Sequence, residues 1–117
     1  MILIGNPANR RVTMFLAAMA AQGHPPPRVL AWSELLEHGV PELHGLVRID
    51  STGEDDEVER ALLRRGEHAA RAEGSPAIAA PQLERIPREL GRILYPRQHH
   101  LGFLEVVREI EERGAGA

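Results

Sequence analysis

Two hydrophobic rhythms alternate along this chain: short unbroken apolar runs, and longer stretches whose apolar residues return every third or fourth position. Ile2-Leu3-Ile4, closed by Gly5, reads as a strand buried on both faces, because a strand inside a parallel sheet has no wet side and loses its alternation. Val12, Phe15, Leu16 and Met19 then recur at helical spacing, and Gly23 ahead of Pro25-Pro26-Pro27 stops that helix. Arg28 to Trp32 reads as a second strand, with Ser33 capping a short helix that ends at Gly39. Leu46 to Ile49 is a third strand, followed by a helix from about Glu54 to Glu73 with Val58, Ala61, Leu62 and Ala69 inward and Arg60, Arg64, Arg65 and Arg71 in water. A short helix around Pro81 to Leu90 leads to a fourth strand at Arg92 to Tyr95, and the last helix carries Phe103, Val106, Val107 and Ile110 on one stripe.

Strand and helix in alternation with short connections imply parallel strands joined by right-handed crossovers, with helices on both faces. The expected class is therefore α/β: a three-layer α/β/α arrangement with a mainly parallel sheet of about four strands, Rossmann-like. At 117 residues there is room for one domain, placed at 1–113, with Gly-Ala-Gly-Ala at 114–117 as a flexible tail or truncated linker.

Several chemistries are excluded by residue type. The chain has no cysteine, which removes disulfides, thiolate metal sites and a thiol nucleophile. Its 14 basic residues are all arginine, so neither a P-loop lysine nor a Schiff-base lysine exists. A net charge of −3 gives no support to general nucleic-acid binding. No basic leader or membrane-length apolar run is visible, and the expected location is the cytoplasm.

In an open parallel sheet, ligands gather beyond the carboxyl ends of the strands, where loops and helix N-termini converge. Three loops fall there. Gly5-Asn6-Pro7-Ala8-Asn9-Arg10-Arg11 joins a close backbone turn to helix amides and two guanidinium groups, a setting that welcomes an anion. It lacks the glycine spacing of a dinucleotide site, and the plainer account has Asn9 as a helix cap with solvated arginines. Asp50-Ser51-Thr52-Gly53-Glu54-Asp55-Asp56-Glu57 puts acids on a first helical turn, where the macrodipole alone explains them; a magnesium site from Asp50, Glu54 and Asp55 is the sharper alternative. Tyr95-Pro96-Arg97-Gln98-His99-His100 sets two histidines at a helix start, about 100° apart and so poorly placed to share one metal.

Three segments carry a resemblance: Ile-Leu-Ile-Gly-Asn-Pro-Ala-Asn-Arg-Arg-Val-Thr (2–13), Val-Arg-Ile-Asp-Ser-Thr-Gly-Glu-Asp (47–55) and Gly-Arg-Ile-Leu-Tyr-Pro-Arg-Gln (91–98). Together they resemble the N-terminal, pre-ATP-grasp region of a bacterial family of ATP-grasp-like proteins. The resemblance implies a small Rossmann-like layer that walls a substrate pocket, while nucleotide is held by lobes further along such proteins. It implies activation of a carboxylate as an acyl phosphate, followed by attack of an amine or thiol. His99-His100 depart from the aromatic pair of the family pattern.

The expected role is a substrate-contacting domain with no catalytic residue of its own. Asn6, Asn9, Arg10, Asp50, Ser51, Arg97 and Gln98 are expected to bind a small polar or anionic substrate. No metal or cofactor is expected in this chain, with ATP and magnesium implied only alongside the missing ATP-grasp lobes. The alternative is a stand-alone Rossmann-like binding or protein-interaction module, with a homodimer among its forms and the Phe103, Val107 and Ile110 face as the contact. No nucleic acid or membrane is expected as a partner.

Overall fold

A computed structural model describes residues 1–53, 55–87 and 95–115. Its elements are β1 (Ile2–Gly5), α1 (Arg10–Ala21), β2 (Arg28–Ala31), α2 (Trp32–His38), β3 (Val47–Ile49), α3 (Asp56–Glu73), α4 (Ala80–Leu83) and α5 (Pro96–Ala115). The three strands form a parallel sheet in the order β2-β1-β3, with Gly5 beside Ala31 and Ile4 beside Ile49. The protein is mixed α/β. Most of the fourth strand expected at Arg92 to Tyr95 lies outside the described residues, as do residues 88–90 of the helix expected at Pro81 to Leu90; that helix ends at Leu83, and residues 84–87 are turn and irregular chain. Tyr95 itself stands in a bend at φ 52°.

Side chains alternate across a strand, so β1 sends Ile2 and Ile4 to one face and Leu3 to the other. On the first face Ile2, Ile4 and Leu30 pack with Trp32, Leu35, Leu43, Val58, Leu62, Val106 and Ile110 from α2, α3, α5 and the loop before β3. On the second face lies α1. Leu3 pairs in register with Arg48, whose guanidinium stacks 4.3 Å above the Phe15 ring. Only Val12 of α1 is fully buried, and Phe15, Leu16 and Met19 are half-buried.

A smaller cluster of Leu63, Ile78 and Leu83, with Ile86 and Tyr95 against it, sits where the connection after α3 folds back. What joins it to the rest is the α3–α5 crossing. A Cβ added at Gly66 would lie 1.8 Å from the Gln98 carbonyl oxygen, and one at Gly102 would lie 1.9 Å from that of Leu62. The two backbones therefore touch, an approach that only glycine on both sides permits.

Several local expectations are corrected. Ala31, not Ser33, occupies the N-cap of α2 and makes no side-chain cap bond; Ser33 is exposed one residue inside the helix. Ala69 is exposed. Arg60, expected in water, is buried: its guanidinium donates to the Leu83 and Ile86 carbonyl oxygens at 2.6 and 2.7 Å and to Asp56 at 2.9 Å. Those acceptors lie more than twenty residues downstream, so the helical period of α3 alone could not announce them. Arg65 is partly covered and reaches Glu109 at 3.3 Å. The last helix runs to Ala115, past the expected end of the domain at 113.

Candidate functional site

β1 and β3 run side by side in one direction, so the loops that follow them meet at the carboxyl edge of the sheet. Gly5 ends β1 without a positive φ; its role is space. An added Cβ would lie 2.9 Å from the Val12 side chain and 3.4 Å from that of Asp50, so a larger residue would push α1 and the second loop apart.

Asn6 joins the two loops. It is 5% exposed, and its Nδ2 donates to the carbonyl oxygens of Thr52 and Gly53 at 3.1 and 2.8 Å. A buried amide with both bonds made holds its loop firmly, because losing either would leave a polar group dry. Asn9 caps α1: its Oδ1 accepts from the Arg11 N–H at 2.8 Å, and its own N–H donates to the Asn6 carbonyl. The Asp50 N–H extends the ladder to the Ile4 carbonyl at 2.8 Å, and the Trp32 indole N–H donates to the Asp50 carbonyl at 3.2 Å. Asp50 Oδ1 accepts from the Ser51 N–H, and Ser51 Oγ accepts from the Gly53 N–H at 3.0 Å.

Against this stitched edge lies an open concavity of about 290 Å³ lined by Asn9, Arg10, Arg11, Met14 and Ser51. Arg10 and Arg11 are exposed, and neither guanidinium is paired with a described residue. The expected residues Asn6, Asn9, Arg10, Asp50 and Ser51 thus meet at one edge. Arg11, one of the two guanidinium groups noted in the first loop, was left out of the named contacts, and Met14 was not anticipated; helical spacing from Arg10 to Met14 was the available signal.

Arg97 and Gln98 are held elsewhere. Arg97 forms a two-pronged bond to Glu73, with its Nε and Nη2 at 2.8 and 2.9 Å from the two carboxylate oxygens. Glu73 ends α3, an 18-residue helix about 27 Å long whose N-cap is Asp55 beside the second loop. Arg97 and Ser75, both donating to the Glu73 carboxylate, lower its pKa to about 2. Gln98 is fully buried: its Oε1 accepts from the Ile78 N–H at 2.7 Å, and its Nε2 donates to the Leu63 and Ile78 carbonyls at 2.7 and 3.0 Å. Its amide satisfies both backbone groups of Ile78, a residue that belongs to no described strand.

The acids of the second loop act locally. Asp55 Oδ1 accepts from the Val58 N–H and caps α3, and Asp56 pairs with Arg60. Burial, then Asp56 and Asp55, raise the Glu59 carboxyl above its usual range. Glu54 lies outside the described residues, and among the described residues no three metal-ligating side chains converge. His99 Nε2 is buried without a hydrogen-bond partner among the described residues, and burial, then His100, lower its pKa.

Chemically, the edge offers a guanidinium pair, a helix N-terminus and one hydroxyl. That is equipment for holding an anion. Comparison with protein-family models, with curated proteins and with solved structures finds no match to this chain.

Proposed function

We propose that this chain is the substrate-contacting domain of an ATP-grasp-like, ligase-type protein, Rossmann-like and three-layered with a fourth strand, and not catalytic on its own. The observation that carries the reading is the Asn6 clamp, which ties the loop after β1 to the loop after β3 beside Arg10 and Arg11, whose guanidinium groups pair with no described residue. The likeness in residues 2–13 and 47–55 lies on these same two loops. A carboxylate or phosphate on the substrate would be held by Arg10 and Arg11, with Ser51 orienting a polar neighbour and Asn6 and Asp50 keeping the loop in shape. Arg97 and Gln98 take no part in that contact: they brace α5 against α3, Arg97 at Glu73 and Gln98 at Leu63. ATP and magnesium would bind to the lobes of the longer protein, where an acyl phosphate would form and be attacked by an amine or thiol.

Two measurements test this. Calorimetric titration with inorganic phosphate and with short carboxylates is expected to give weak, salt-sensitive binding that the Arg10→Ala/Arg11→Ala pair abolishes. A protein extended by its downstream reading frame is expected to release ADP when given a carboxylic acid. An extended protein that neither binds nor consumes ATP would overturn the ligase assignment even if anion binding held. The second reading, an interaction module without catalysis, is favoured by one observation: Met14 is 58% exposed on the outer side of α1.

A further inference from the structure

Charged side chains on the long helices of this protein find partners. Arg60 pairs with Asp56, Arg64 with Glu84, Arg71 with Glu67 and Arg97 with Glu73, at 2.7 to 2.9 Å. The edge beyond β1 and β3 is different. Arg10 and Arg11 line its concavity and pair with no described residue. Asp50 directly precedes Ser51, which lines the same concavity; one oxygen of its carboxylate accepts from the Ser51 N–H, and the other meets no described donor. Charges of both signs therefore stand unpaired on one edge of the sheet.

Their placement is built into the two loops. A Cβ on Gly5 would stand 3.4 Å from the Asp50 Cβ and 2.9 Å from the Val12 Cγ2, so Asp50 lies beside the turn of α1 that carries Arg10 and Arg11. The Asp50 backbone is fixed at both groups, its N–H on the Ile4 carbonyl and its carbonyl on the Trp32 indole, and the Ser51 N–H sets the carboxylate. A group fixed in advance loses little freedom when a ligand arrives. A simple anion drawn to the arginines would meet a like charge at Asp50, whereas one that also carries an ammonium would meet a partner. Met14, 58% exposed and one helical turn from Arg10, adds an apolar wall. The concavity, about 290 Å³, is at the small end for a ligand site, which limits its occupant to a small molecule.

We infer that the ligand of this edge is a small amphoteric molecule, an amino acid or another short acid bearing an amine. Its carboxylate is held by Arg10 and Arg11, its ammonium by Asp50, and its carbon chain lies along Met14. The inference rests on the anion-holding reading of the same edge and narrows it from anions in general to those that carry an amine.

NMR titration following the Arg11 and Ser51 amides tests it with glycine, β-alanine and γ-aminobutyrate, each set against the plain carboxylate of equal chain length: acetate, propionate and butyrate. The series scans the spacing between the two charges. At least one amino acid is expected to bind about three- to five-fold more tightly than its plain counterpart, the scale of an exposed charge pair. Asp50→Asn keeps an oxygen for the Ser51 N–H and removes the charge, so it should abolish that advantage and leave the affinity for plain carboxylates unchanged. Plain carboxylates that bind as well as every amino acid overturn the inference and leave the anion-holding reading standing, as does an advantage that survives Asp50→Asn. If neither series nor inorganic phosphate moves these amides, both readings fall.

Discussion

Replacing Gln98 with methionine keeps the length of the side chain and deletes its three hydrogen bonds. The Leu63 carbonyl sits within α3, so the groups left stranded are the N–H and the carbonyl of Ile78, a residue 8% exposed. Each buried group left without a partner costs about 1–3 kcal/mol, a gross loss of about 2–6 kcal/mol. Methionine returns about 1–2 kcal/mol through its more apolar surface, and with each contribution at mid-range the net expected loss is about 2.5 kcal/mol. A chain of this size is stable by roughly 6–18 kcal/mol, taking about 0.05–0.15 kcal/mol per residue. The variant should therefore fold, with its melting midpoint lowered by about 10–20 °C. Urea unfolding followed by circular dichroism reads the loss, and an unchanged slope would keep it a statement about the folded state. Hydrogen exchange supplies the local readout, since the Ile78 amide should lose protection beyond that of its neighbours. A loss under about 0.5 kcal/mol, or an Ile78 amide still protected, would refute the assignment of Gln98 as the hydrogen-bond partner of the Ile78 backbone.

Gly66→Ala and Gly102→Ala should each cost about 3 kcal/mol or more, because the new methyl meets backbone and the helices must part. Gly114→Ala, with nothing within 4 Å, should be neutral or stabilising by up to about 1 kcal/mol in the same unfolding assay. His99 is expected to lower stability in mild acid. Its folded pKa lies below 6.5, so the stability present above 6.5 is lost as pH falls toward the folded value. His99→Phe, which also removes a partnerless buried nitrogen, should flatten that part of the melting profile. The Glu73 carboxyl should titrate near about 2 by NMR and move up toward 4.5 in Arg97→Ala; an unmoved value would show that the ion pair does not form in solution.

How far the fold was legible depended on how far apart in the chain the interacting groups stood. Ile2-Leu3-Ile4 announces a buried strand by itself, and Gly23 before three prolines announces the end of α1, because each signal sits within a few residues of its consequence. Asn9 as the cap of α1 was readable for the same reason. Arg60 was misread because its partners are the carbonyls of Leu83 and Ile86, contributed by a segment that returns only after α3 has ended. Gly66 gave no signal alone; its meaning comes from Gly102 and the Gln98 backbone on another helix.

The same distinction explains why the site was only partly readable. Asn6, Asn9, Arg10, Asp50 and Ser51 follow directly from strands paired in one sheet, and parallel pairing brings their loops together whatever else the chain does. Arg97 and Gln98 follow residues that lie outside the described part of the chain, and their polar groups answer to local needs. Glu73 ends α3 with a charge to satisfy, and Ile78 has an N–H and a carbonyl outside any described strand. A glutamine 0% exposed has no side-chain atom left for a substrate, and an arginine with two donors on one carboxylate would have to give up that pair to bind another. The proposed anion contact therefore rests on the first two loops, and substitutions at Arg97 should weaken the join between α3 and α5 while leaving anion affinity at Arg10 and Arg11 unchanged. Titration of phosphate into Arg97→Ala checks this, since a parallel loss of affinity would return Arg97 to the binding edge.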